Sequence, residues 1–240
     1  TLTQILMARG YDVKALIILP YTLLGPEDIG NARSIDYPVV VDRVVGKARE
    51  QISQWVGSGD CEAGDAINRL EFAVVPAMAS IIDTKLRFEA KPNLYQLAVY
   101  YSVYRALTSG DYDWVYLDTT YGINYMPHLA SEAVRLAVHI YAVRSRRPIG
   151  YVTVNSDPYP QRERSTAKSQ GRSEVPNLTI YETYHETAMP QGAPGVVGAL
   201  SLDILKWYVR TTPRTNREGL HVDEEALRLG LILGVSLRDA

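Results

Sequence analysis

One cysteine, Cys61, stands in 240 residues. That excludes an intramolecular disulfide and a cysteine-rich zinc site, and it fits a reducing, cytoplasmic setting. Only two phenylalanines accompany 17 tyrosines, and histidine occurs four times. His128, His139 and His185 are scattered without metal-ligand spacing, so neither a metal nor another cofactor is expected. No apolar run reaches the roughly 18–20 residues that cross a bilayer, and no signal peptide is visible, so no membrane partner is expected. Net charge is nearly absent as well. Twenty-five basic residues against 27 acidic ones leave −2, which argues against a general nucleic-acid or polyanion binder. No GxGxxG or Walker pattern surrounds Gly192, Gly195 and Gly198, so that glycine-rich stretch reads as a plain turn.

What is present is ordinary for a globular protein, 46% hydrophobic and 22% charged, and long enough for one large α/β domain. Residues 1–9 read as the tail of a helix closed by Gly10. Residues 13–19 (VKALIIL) form a β-branched apolar run suited to a parallel strand buried on both faces. Loop signals follow to about Asp36, then a helix over 38–56 with apolar positions at Val41, Val44, Val45, Ala48, Ile52 and Val56. Residues 70–75 are a second buried strand, and 81–89 an extended or hairpin insertion. A tyrosine-rich helix over 92–107, a strand over 112–117, an apolar helix over 126–143, a strand at 149–154 and an edge strand at 178–184 complete the pattern. Residues 201–209 and 223–237 read as helices. Strands alternating with helices give a parallel-sheet α/β fold. The first helix has no strand before it to pack on, which implies a strand and its loop N-terminal to Thr1.

The richest stretch is WVYLDTTYGINYMP, residues 114–127. An apolar strand stops at Asp118, two threonines and Gly122 follow, and Asn124 and Pro127 mark a helix start. Each residue alone fits a turn or a helix cap. Together, small polar groups at a strand's carboxyl end before a helix suit a phosphate or another anion. Tyr125 is placed either to stack on a base or to join the core.

DTTYGINYMP resembles the DxTHG signature of CRISPR-associated proteins of the CARF superfamily, and in particular the sensors that type III systems couple to a HEPN ribonuclease domain. Asp118, Thr120 and Gly122 match the signature, while Tyr121 stands where the family has histidine, losing the imidazole's titration and second nitrogen. The likeness runs through the helix PNLYQLAVYYSVYRAL and the strand end VNSDP, over roughly residues 1–184. It implies a Rossmann-like parallel sheet flanked by helices over residues 1–198, with a C-terminal helical extension or the start of an effector over 199–240. It further implies a homodimer holding one cyclic oligoadenylate, most simply cyclic tetra-adenylate. Asp118, Thr119, Thr120, Tyr121, Gly122, Asn124 and Tyr125 are then site residues, with Tyr21, Thr22, Asn155 and Ser156 completing the wall. A symmetric ring is matched by a two-fold dimer offering the same loops twice.

RNA enters as a partner only through an effector domain. Arg214 and His221, with six residues between them, fit the loose RxxxxxxH spacing of a HEPN ribonuclease and are the weak catalytic candidates. Only 19 residues follow His221, so chance spacing is the preferred reading. The alternative activity is a ring nuclease cleaving the messenger in the same pocket, by setting a ribose 2′-OH in line with a phosphate. No lysine lies close to the motif, which favours sensing. The basic cluster Arg144, Arg146 and Arg147 is explained by a solvated helix end. A transcription regulator would need more than the one helix at 223–237.

Overall fold

In the computed structural model the described residues are 2–29, 37–57, 69–81, 86–88, 90–120, 125–156 and 179–191. A short helix α1 (Leu2–Ala8) ends at Gly10, whose φ of +86° supplies the left-handed turn, and leads into β1 (Ala15–Pro20). The region expected as loop holds a 3₁₀ turn (Tyr21–Leu23) and a four-residue helix α2 (Pro26–Ile29). One turn is too short to show a helical period. It is held instead by Asp28, whose Oδ2 accepts the Gly25 N–H at 2.7 Å and the Lys47 ammonium at 2.6 Å. That reciprocal bond is the back half of a capping box.

Helix α3 (Tyr37–Gly57) lays Val44 and Ala48 on β2 (Leu70–Val75) and β1, forming a small core with Leu19, Leu24 and Val74. The Tyr37 hydroxyl donates to the Val74 carbonyl at 2.8 Å. β1 and β2 are parallel, Ala15 opposite Leu70 through Pro20 opposite Val75. The expected insertion is an antiparallel hairpin of β3 (Ala79–Ile81) and β4 (Leu86–Phe88). Helix α4 (Pro92–Thr108) starts at its proline, as the sequence indicates.

β5 (Trp114–Asp118) is followed by helix α5 (Met126–Ser145) and then β6 (Ile149–Ser156), which pairs parallel with β5. β7 (Ile180–Ala188) returns antiparallel on the far side of β6. It runs four residues past the expected end at 184, because charged Glu186 turns inward and breaks the apolar alternation. Among the described residues the spatial orders are β1–β2, β3–β4 and β5–β6–β7, and the three-stranded sheet is mixed, parallel at β5–β6 and antiparallel at β7.

The larger core lies where α4 and α5 pack on each other and on the strands. Leu97, Val99, Val134, Leu136, Val138, Ile140 and Ile149 are all buried there, each contributing about 1.5–3 kcal/mol by removal from water. Tyrosine replaces phenylalanine in this core because its hydroxyls find partners. Tyr151 accepts from Thr153 Oγ1 at 3.1 Å and donates to the Ser131 carbonyl at 3.3 Å. Tyr104 accepts from Arg144 at 2.9 Å.

The basic helix end is therefore not simply solvated. Arg144 ties α5 to α4, and Arg147 donates to the Tyr112 carbonyl at 2.9 Å while pairing with Asp111 and Asp113. No helix among the described residues is long and apolar enough to cross a membrane. The helices expected at 201–209 and 223–237, and the glycine-rich turn between 192 and 198, lie outside the described residues.

Candidate ligand site at the strand ends

The carboxyl ends of the parallel strands meet at one edge. β5 ends at Asp118, β6 at Ser156, β1 runs into the 3₁₀ turn at Tyr21, and β2 gives way to Pro76, Ala77 and Met78. A hydrogen bond from the Met78 N–H to the Tyr125 hydroxyl at 3.2 Å joins the end of β2 to the start of α5.

Four of the candidate residues form one network there. As β5 ends, Thr119 stays tied to β6, donating to the Val154 carbonyl through its N–H at 3.0 Å and its Oγ1 at 3.1 Å. Asp118 Oδ1 accepts the Thr120 N–H at 2.9 Å, a turn closed by the side chain of its first residue. The Ser156 N–H in turn donates to Thr120 Oγ1 at 3.1 Å and to Asn155 Oδ1 at 2.9 Å. The adjacent strand ends are thereby locked together by side chains that also line the edge.

This geometry sorts the residues chemically. A carboxylate repels phosphate, so Asp118 acts as the turn's staple and offers an acceptor to a hydroxyl, not a contact to an anion. The Thr119 hydroxyl already gives its proton to Val154. The Thr120 hydroxyl only accepts in this network, so its proton remains to donate outward. Asp118 and its threonines do not cap α5, as one sequence reading had it. The cap position is Tyr125, which makes no side-chain capping bond, and the helix gains its start from Pro127 in the first turn.

Tyr125 turns to the interior. Its ring stands edge-on to Tyr95, centroids 5.8 Å apart at 87°, and its hydroxyl holds Met78. Of the two positions the sequence left open, the core one fits these contacts. Burial, reinforced by Tyr125, pushes the Tyr95 phenol up to about 12. Tyr21 packs against Phe88 at 5.3 Å, and Thr22 sits beside it in the 3₁₀ turn. Tyr121, Gly122 and Asn124 lie outside the described residues, as do Cys61, Arg214 and His221.

Sequence reasoning missed Met78, 56% exposed at the end of β2. The signal was the Pro76 that ends the strand just before it. It also missed a charged cluster between α5 and β7. Arg135 grips Glu186 with two bonds, 2.6 and 3.1 Å, while His139 Nε2 lies 3.0 Å and the Tyr184 hydroxyl 2.6 Å from the same carboxylate. Burial alone would raise the Glu186 carboxyl, but Arg135, Tyr184 and His139 outweigh it and hold it at about 2. Burial lowers the His139 imidazole, with Glu186 pulling the other way. No group of three or more His, Cys, Asp or Glu among the described residues is arranged to hold a metal ion.

A parallel α/β layer with small polar side chains networked across its strand ends defines a Rossmann-like domain. The family described as CRISPR system endoribonuclease Csx1, CARF domain, matches residues 1–158, and the chain belongs to it. No curated protein matches the chain.

Proposed function

We propose that this chain is the sensor domain of a type III CRISPR effector. It binds cyclic oligoadenylate, most simply cyclic tetra-adenylate, across a two-fold homodimer and relays occupancy to a HEPN ribonuclease. The observation that carries the reading is the Asp118–Thr120–Ser156 network at the strand ends, in a chain of the CARF family. Thr120 donates to a phosphate oxygen, Asp118 accepts from a ribose hydroxyl, and the 3₁₀ turn at Tyr21–Thr22 borders the ring. Sensing is favoured over cleavage of the ring because the Thr119 hydroxyl and Asp118 Oδ1 are engaged with backbone groups, and no lysine lies close to the motif to stabilise the charge of a cleaved phosphate. An in-line attack needs groups free to move protons.

Incubation of the natural, full-length protein with labelled cyclic tetra-adenylate tests this. Retention of intact ligand at one per dimer is expected. Conversion to linear products would turn the reading to the ring nuclease, and no retention at micromolar concentration would sink both.

A further inference from the structure

β5, β6 and β7 form one sheet with two faces, and α4 and α5 pack on one of them. Val115, Leu117, Ile149 and Tyr151 belong to the core beneath those helices. By alternation and register, Trp114, Tyr116, Gly150, Val152 and His185 stand on the opposite face. Trp114, Tyr116 and Val152 belong to neither core.

That second face carries an aromatic plate. The Trp114 ring lies over Gly150, whose missing Cβ leaves it room. It stacks on Tyr116 with centroids 6.2 Å apart and reaches His185 at 5.5 Å, so it spans all three strands. Val152, in register with Tyr116 on one side and His185 on the other, is 2% exposed, yet Trp114 itself is 44% exposed. A parallel pair of strands is ordinarily covered on both faces. A half-open tryptophan ring held over a glycine offers an apolar seat for that cover.

We propose that residues 201–209 of this chain (SLDILKWYV) dock on the Trp114 plate as a helix. β7 ends at Ala188, opposite Ile149, at the end of the sheet where Thr187, Gly150 and Trp114 stand in register. The polypeptide therefore leaves the sheet beside the plate. Residues 192–200 can span up to about 30 Å, ample for a return across it. A nine-residue helix is about 14 Å long, and the outer strands of three lie about 10 Å apart. At helical spacing Leu202, Leu205, Tyr208 and Val209 share one apolar side, while Asp203, Lys206 and Arg210 fall together on the remaining side. Tethering holds this segment at an effective concentration of about millimolar, which favours it over any free partner. The docked segment and the strand-end network then share β5, which carries Trp114 at its start and Asp118 at its end. A route from ligand to effector along that strand rests on the function proposed above, whereas the docking itself does not.

Hydroxyl-radical footprinting by mass spectrometry on the natural, full-length protein tests the seat. Leu202→Glu combined with Leu205→Glu should raise Trp114 oxidation at least about twofold, while Met78, exposed at the end of β2, stays unchanged. Equal oxidation of Trp114 overturns the proposal. The reciprocal change, Trp114→Ala, spares both cores because Trp114 belongs to neither. A helix this short does not stand alone in water, so amides 201–209 should then exchange at least about tenfold faster. Unchanged exchange there overturns the docking as well. Trp114 protection that fades on dilution gives the face to a second copy, and protection that appears only with added RNA gives it to nucleic acid. Either result overturns the assignment to 201–209. No cyclic oligoadenylate enters these experiments, so their outcome is separate from that of the binding assay above.

Discussion

Thr120 is the central residue of the strand-end network, because its hydroxyl receives the Ser156 N–H and its own N–H is stapled by Asp118. Thr120→Val keeps the shape and deletes that hydroxyl. The Ser156 N–H retains Asn155 as acceptor, so the stability cost is expected to stay below about 1 kcal/mol. Ligand affinity should fall at least about tenfold, the worth of one charge-assisted hydrogen bond. Titration of wild type and variant with labelled ligand checks this, and equal affinity would place the site elsewhere. Tyr125→Phe removes one hydrogen bond and keeps the ring against Tyr95. A loss of about 1 kcal/mol in denaturant unfolding is expected, with faster exchange at the Met78 amide. Gly150 is a third test. A Cβ there runs into the Trp114 ring, so Gly150→Ala should cost about 1–3 kcal/mol and shift the tryptophan emission. A neutral result would mean that the Trp114 ring swings aside freely.

At the scale of elements, β7 is held to α5 by charge as well as by its ladder to β6. Glu186 has an ordinary value of 4.5 and is held at about 2 when folded. Its contribution is therefore complete above pH 4.5 and lost as pH falls through about 2. His139 is lowered from 6.5, so the unfolded chain takes up this proton first and stability declines as pH falls below 6.5. Both groups act in the same direction, toward acid loss of β7. Urea unfolding between pH 7 and pH 3 should show a falling midpoint. Glu186→Gln should lower stability by roughly 2–3 kcal/mol at pH 7 and flatten the limb below pH 4.5. An unchanged limb would shift the acid sensitivity to other carboxylates.

The elements themselves were largely legible in the sequence, for a physical reason. The run at 70–75 is bounded by its own composition and the following Pro76, and β2 occupies those same residues. α4 begins at Pro92, where the sequence places it, because proline fits only a first turn. The four-residue α2 and the extra length of β7 were hidden. One depends on a salt-bridged cap from Lys47, 19 residues away, and the other on Arg135, 51 residues from Glu186.

For the whole molecule, the reading requires two copies around one ring. Native mass spectrometry of the natural protein should give a dimer that gains the mass of a single ligand. A monomer at micromolar concentration, or two ligands per dimer, would contradict the shared cradle. Among the described residues the two strand sets share the core under α4 and α5, so strain introduced at one strand end has packed side chains through which to reach the other.

The sequence alone determined the class of fold, the order of strands and helices, and the stretch at which strand chemistry gives way to polar chemistry. These are properties of neighbouring residues: period, β-branching, and the backbone demands of proline and glycine. The tertiary structure decided what the polar groups face. Tyr125 turned inward to Tyr95, Asp118 became a staple, Thr119 was tied to β6, and Glu186 was drawn into the α5–β7 cluster. Those outcomes depend on partners distant in sequence, and only folding brings them within hydrogen-bond reach.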